Sequence, residues 1–197
     1  MQLGCSLNAY LSGNILKSAK KVFDVPCFNV SMAVDLRRRF DLQHFYPLRF
    51  LTSWISFQSN GLNSNFPKYM QSCIRRCLTT KQYLENLDAL SQKISSRKDN
   101  VSFAKNFISQ QPSICITNSG TIDDITAFSA ADDAIKIIEW HLSVSVQSYM
   151  GTADSFTVQL NALKDIGQFI KINYPEPLMS SEKVSDLLDS IQKDLLS

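Results

Sequence analysis

The sequence predicts an α/β fold, a single layered domain in which helices cover a mixed β-sheet. Three patterns predict it. The opening segment spaces its apolar residues as a helix does. Several later segments alternate apolar with polar residues or run short and β-branched. The last segment returns to helical spacing. Composition agrees: of 197 residues, 44% are hydrophobic and 19% charged, a balance that allows a substantial core.

Ser6 to Phe23 reads as the first helix, with Leu7, Leu11, Ile15, Ala19 and Val22 on one face and Lys17, Lys20 and Lys21 elsewhere. Asp24 and Pro26 end it. Phe28, Val30, Met32, Val34 and Leu36 then alternate with Asn29, Ser31, Ala33 and Asp35, the period of a strand with one face in a core. A turn region is expected from Arg37 to Pro47 and a second strand from Arg49 to Gln58. Ser59 to Asn65 has loop chemistry. Helices follow over Phe66 to Thr79 and Lys81 to Ser96, the second with Leu84, Leu87, Leu90 and Ile94 as its stripe, and a shorter one over Val101 to Ile108. Ser113 to Thr117 is a short β-branched strand that the Asn118–Asp124 stretch breaks, and Ile135 to Gln147 is a long strand candidate. Phe156 to Leu163 and Gln168 to Tyr174 flank a hairpin-like turn. Ser180 or Ser181 caps a final helix striped by Val184, Leu187, Leu188, Ile191 and Leu195.

Charge excludes one class of function. Twenty basic and eighteen acidic residues leave a net +2, too little for a domain that mainly neutralises phosphates, so no nucleic-acid partner is expected. Cys5, Cys27, Cys73, Cys77 and Cys115 form no CxxC pair, and their odd number favours buried thiols in a reducing compartment. Cys73 and Cys77 lie one helical turn apart, where they face either a core or a metal; the two distant histidines favour the core. Leu3-Gly4-Cys5 has the look of a lipoprotein box, but no charged segment or apolar run precedes it, so no signal peptide is expected. No window approaches the ~20 apolar residues of a membrane span. A cytoplasmic location is the expectation.

The burst Arg37-Arg38-Arg39 at the end of the first strand admits three readings: a phosphate or nucleic-acid site, an ion-paired strand end, or a solvated turn. Asp35 and Arg37 are two apart and would share a face if both lay in the strand, which favours a structural pair, with Arg38 and Arg39 solvated.

The order of these elements, with Val34-Asp35-Leu36-Arg37 closing one strand and Thr117-Asn118-Ser119-Gly120 closing a later one, resembles the C-terminal lobe of the chloramphenicol-acetyltransferase-like acyltransferases. That superfamily holds condensation domains, alcohol acetyltransferases and polyketide-associated acyltransferases. The likeness spans nearly the whole chain. Two positions depart from it: Arg49-Phe50-Leu51-Thr52 stands where a Gly-Asn pair often precedes Phe-Val, and Thr117 where serine is common. The resemblance implies transfer of an acyl group from a thioester to an alcohol or amine. The donor would be acyl-coenzyme A or an acyl-carrier thioester, and no covalently bound cofactor is expected. It further implies a base in a His-x-x-x-Asp motif on a first lobe, with the active site between the lobes.

That motif is missing here. Leu48 stands four residues after His44, and Ser145 four after His141. His44 reads as a loop residue and His141 as a packed one. No G-x-S-x-G elbow or glycine-rich phosphate loop occurs either. The resemblance makes the second lobe one wall of a substrate channel and the source of a segment crossing to the first. Its candidate wall positions are Thr52 and Trp54, at the end of one strand, and Asn118, Ser119 and Gly120, at the turn after another. Asn118 and Ser119 would bond a pantetheine or an acceptor; alternatively Gly120 only permits a tight turn that Asn118 stabilises. Trp54, Phe57 and Trp140 read as core. Two functions follow: an acyltransferase lobe completed by a first lobe, in the same chain or another, whose uncovered apolar face would favour a homodimer when alone, or a non-catalytic module binding a carrier protein, a partner lobe or an acyl ligand.

Overall fold

Helix α1 (Leu7–Phe23) begins where Ser6 accepts a hydrogen bond from the Ala9 amide at 3.3 Å, and ends where Asp24 turns left-handed (φ 50°). Lys20 and Lys21 in its last turn suit the negative end of the helix dipole. The computed structural model describes residues 4–40, 52–60, 65–95, 112–122, 156–163, 167–174, 176 and 179–196. The other elements within them are β1 (Asn29–Asp35), α2 (Leu36–Arg39), β2 (Thr52–Gln58), α3 (Phe66–Thr79), α4 (Gln82–Ser95), β3 (Ser113–Ile122), β4 (Phe156–Leu163), β5 (Gly167–Asn173) and α5 (Ser181–Leu196).

The strands form one mixed sheet in the order β2-β1-β3-β4-β5. β1, β3 and β4 run parallel, and β2 and β5 pair antiparallel at the two margins. The register places Val30 between Phe57 and Ile114, and Met32 between Ile55 and Ile116. It then continues the row through Phe156, Val158 and Leu160 of β4. This is the apolar face that the alternation in β1 predicts, and every member is buried. Helix α1 packs between α3 and α5, burying Leu11, Ile15, Leu16 and Ala19. From α3 come Met70, Cys73 and Cys77, and from α5 Val184, Leu187 and Ile191. Burying each large aliphatic side chain contributes about 1.5–3 kcal/mol. The opposite face is mixed: Ser31, Ser56, Thr117, Thr157 and Gln159 share it with Ala33, Trp54 and Cys115.

Three expectations change. Leu36–Arg39 is a helical turn, not part of an open turn region, because the Asp35 side chain caps it through the Arg37 amide. β3 does not stop at Thr117 but runs on to Ile122, with its register to β4 shifting between Asn118 and Thr121. Leu188 is exposed and sits beside the buried stripe of α5. The shorter helix over Val101 to Ile108, the strand over Ile135 to Gln147, His44, Trp140 and His141 lie outside the described residues.

None of the five cysteines forms a disulfide. Burial pushes the Cys77 and Cys115 thiols up, away from thiolate. No helix among the described residues is long and apolar enough to cross a membrane.

Asp194 ties α5 to α1. It accepts from Lys17 Nζ at 2.7 Å and from the buried Ser18 hydroxyl at 2.8 Å. Burial raises its carboxyl, but the bonds from Lys17 and Ser18, with the Lys17 and Lys21 charges, outweigh this and hold the pKa below its ordinary value. A folded pKa below the unfolded one gives stability that is present above the unfolded value, ~3.9. That stability is lost as pH falls through the folded value. Melting curves at successive pH steps should therefore fall on acidification from about pH 4, and Asp194→Asn should flatten that fall. Lys17 is about half exposed, so the ion pair itself contributes only ~0–1 kcal/mol. A slope unchanged by Asp194→Asn would assign the acid loss to other carboxylates.

Candidate functional site

Because β1, β3 and β4 are parallel, their carboxyl ends lie at one end of the sheet. In open sheets of this kind, ligands bind outside that end. Topology therefore gathers Asp35 and α2, the Asn118–Gly120 stretch and Leu163 there, together with the starts of β2 at Thr52 and β5 at Gly167.

Asp35 and Arg37 do pair, but not because a strand puts them on one face. The chain turns into α2 after Asp35, whose Oδ1 accepts from both the Arg37 amide and Nε at 3.0 Å while Oδ2 accepts from Nη2 at 3.0 Å. The hydrogen bond that Arg37 donates to Asp35 raises the already high Arg37 pKa. The carboxylate thus engages the fork of the guanidinium, which favours the structural reading over a phosphate site. Arg39 is exposed; the Arg38 side chain lies outside the described residues.

Asn118 is exposed and links two elements. Its Nδ2 donates to Asn8 Oδ1 at 3.2 Å, and its Oδ1 accepts from the Gly120 amide at 2.8 Å. Gly120 has φ 77° with nothing within 4 Å of where a Cβ would stand, so the demand for glycine is conformational and not steric. The stretch is therefore a bulge inside β3 that Asn118 shapes and fastens to the first turn of α1. Ser119 is exposed beside it.

Around this bulge lies a cleft of about 80 Å³. Leu7, Asn8 and Leu11 of α1 form one side, Asn118 and Gly120 another, and Leu160 to Ala162 with Gln168 and Phe169 the rest. It is apolar with carboxamides on its lining, and none of these residues is an acid, base or nucleophile. Such a cleft can hold and orient a group but cannot move a proton. Of the sequence-chosen residues it joins Asn118 and Gly120. Thr52, exposed opposite Asp35, and Trp54, half-buried opposite Ala33, lie across β1 on β2 and do not line it. Sequence reasoning missed the other polar lining residues, Asn8, Asn161 and Gln168, and of these Asn8 bonds Asn118. Its signal is slight: a polar residue two positions after the cap Ser6, in the first turn of a helix.

Asn118→Ala should remove both links and lower stability by about 1 kcal/mol, given its exposure. Asn118→Asp keeps an acceptor for the Gly120 amide and should lose less. Urea titration of the two variants checks the order; equal losses would leave the bulge without dependence on that amide.

No family model matches the sequence, and no curated protein matches it. Solved structures do. The epimerization domain from the third module of tyrocidine synthetase B superposes with a TM-score of 0.56 at 14% identity, over 98% of this chain and 41% of that one. PapA2 acyl transferase superposes with a TM-score of 0.52 at 10% identity, over 98% of this chain and 39% of that one. The chain thus spans about two fifths of the length of each. At these identities the likeness establishes the fold alone: this chain is built like about two fifths of that epimerization domain and of that acyl transferase.

Proposed function

We propose that the chain is the C-terminal lobe of a condensation- or acyltransferase-type enzyme that moves an acyl group from a thioester to an alcohol or amine. One observation carries this: nearly all of the chain superposes on about two fifths of two larger domains, one of them an acyl transferase. The donor in this reading is acyl-coenzyme A or an acyl-carrier thioester, and the base is the histidine of a His-x-x-x-Asp segment on a first lobe. That imidazole takes the proton of the alcohol or amine as it attacks the thioester carbonyl, and the thiolate leaves. The present chain supplies a wall. Thr52, Trp54, Asn118, Ser119 and Gly120 lie at or near the carboxyl end of the sheet, where the first lobe and a carrier protein would approach. Five free thiols fit a cytoplasmic setting.

The test is turnover. The chain is incubated with acetyl-coenzyme A and a panel of alcohols and amines, with and without a co-expressed first lobe carrying His-x-x-x-Asp. The expected result is none alone and turnover when the lobes assemble. Turnover by the chain unaided would place the base within it and overturn the reading. Assembly without turnover across the panel would favour the non-catalytic module.

A further inference from the structure

The cleft at the carboxyl end of the sheet has a polarity that is set in sequence, from one carboxamide to the next. The Gly120 amide can only donate, so the Asn118 atom 2.8 Å from it is the oxygen. The other end of Asn118 is then Nδ2, which donates at 3.2 Å, and the Asn8 atom that accepts is Oδ1. What remains of Asn8 is Nδ2, a donor with no acceptor among the described residues. Asn8 lines the cleft and is half-buried. A backbone amide in the β3 bulge thus determines that the Asn8 wall offers a hydrogen and not a lone pair.

Three further features narrow the occupant. Leu11 and Leu160 are buried while Leu7 is 51% exposed, so the cleft has an apolar floor that opens past Leu7. No charged side chain lines it, so a phosphate, carboxylate or ammonium placed there would lose water without gaining a counter-charge. Its volume is about 80 Å³. An apolar cavity of about 150 Å³ takes a benzene ring, and half that space suits a chain of about three carbons. A short hydrocarbon that ends in a hydrogen-bond acceptor meets all of these conditions. A protonated amine has only hydrogens to give, for which the Asn8 donor is no partner, and a pantetheine arm is much too long.

We propose, resting on the acyltransferase reading, that this cleft holds the acyl group of the donor thioester and selects acetyl or propionyl. The alkyl end lies on Leu11 and Leu160, and Asn8 Nδ2 donates to the acyl carbonyl.

The test uses the full chain alone and needs no turnover. Its probes are the acetyl, propionyl and octanoyl thioesters of N-acetylcysteamine, with the free thiol and 1-propanol as controls. In a chemical-shift titration the two short thioesters should move Leu7, Leu11, Gly120 and Leu160. The octanoyl thioester should bind there about tenfold more weakly, because the cleft cannot be overpacked. Asn8→Asp keeps an oxygen for Asn118 Nδ2 and suits the first turn of a helix, so the bulge stays fastened. It replaces the donor with a second oxygen and should weaken the propionyl thioester about two- to tenfold, the range of one lost hydrogen bond. Unchanged binding in Asn8→Asp overturns the proposal. So do equal shifts from the free thiol or from 1-propanol, and so does a cleft that no thioester perturbs. If Asn8→Asp fails to fold, Ala162→Leu, which narrows the cleft from β4, takes its place. Loss of the propionyl shifts at Leu11 then supports the proposal, and unchanged binding overturns it. Failure here is distinct from failure of the acyltransferase reading. Assembled lobes that turn over octanoyl as fast as propionyl donors overturn the cleft assignment and leave the transferase. Short thioesters that bind as expected, beside assembled lobes without turnover, support the cleft assignment and count against the transferase.

Discussion

Phe156→Ala should lower stability by about 3–5 kcal/mol. Phe156 opens β4 beside Ile114 of β3 and is 1% exposed. Its ring centroid lies 5.4 Å from that of Phe23, at the end of α1, and 6.3 Å from that of Phe28, before β1, at 89°. Phe23 and Phe28 meet edge-on at 6.3 Å, and the Lys183 ammonium lies 5.6 Å from the Phe23 centroid. One ring thus joins both ends of the α1–β1 connection to the second half of the sheet. Ile114 is held by the ladder to β1 and β4, and the Phe28 backbone by its bonds with Ser59, so they do not close the void. Each lost aromatic pair adds ~0.5–1.5 kcal/mol to the transfer term. Against a total stability of ~5–15 kcal/mol this is a large part of the whole. Urea unfolding monitored by circular dichroism measures it. A loss below about 1.5 kcal/mol would mean that the three-ring cluster repacks as freely as in an isosteric swap.

Gly13→Ala should also destabilise, by about 1–3 kcal/mol, although alanine favours a helix by about 1 kcal/mol over glycine. The reason is contact with backbone. A Cβ on Gly13 would lie 2.7 Å from Pro67 Cα and N and 2.9 Å from the Phe66 carbonyl carbon. Pro67 sits in the first turn of α3, which Asn65 caps through the Lys68 amide at 3.1 Å, so that turn has no flexible end to swing aside. The two helices would have to separate, loosening Leu11, Ile15, Met70 and Cys73. In a protein of this size each kcal/mol moves the melting midpoint by ~2–4 °C. A midpoint that stays or rises would show that α3 shifts at little expense and that propensity decides.

Much of the fold was legible because burial is written as periodicity. The stripe of α1, the alternation in β1, the β4–β5 hairpin and the last helix all report one-sided contact with a core. What escaped was decided by polar side chains acting on backbone. Period two carries the strand through Leu36 and leaves Arg37 to an open turn, whereas the Asp35 carboxylate captures the Arg37 amide and starts a helical turn at Leu36. Asn118 and Gly120 look like a strand end, yet the Asn118 side chain satisfies the Gly120 amide and β3 resumes. The likeness to the acyltransferase lobe drew attention to Asn118 and Gly120, and the cleft holds both, but Asn8 comes from a distant segment that only packing brings near. Gln82 and Asn86, which bond the backbone of β2, carry no signal in the sequence, because a helical wheel does not show a strand lying alongside.

The parallel contact of β1 with β3, which sets Val30 beside Ile114, also shapes how the chain folds. α1 through α4 can meet through short loops, as can the β4–β5 hairpin. The two halves share a sheet only when an extended strand from one finds its register on the other, so the entropy of closing that long loop is lost before its hydrogen bonds are gained. Such non-local pairing raises contact order and slows folding. Until it completes, the inner margins of β1 and β4 stay open to the wrong neighbour. During synthesis the N-terminal half must wait for its partner strand to emerge before β1 is covered on that side.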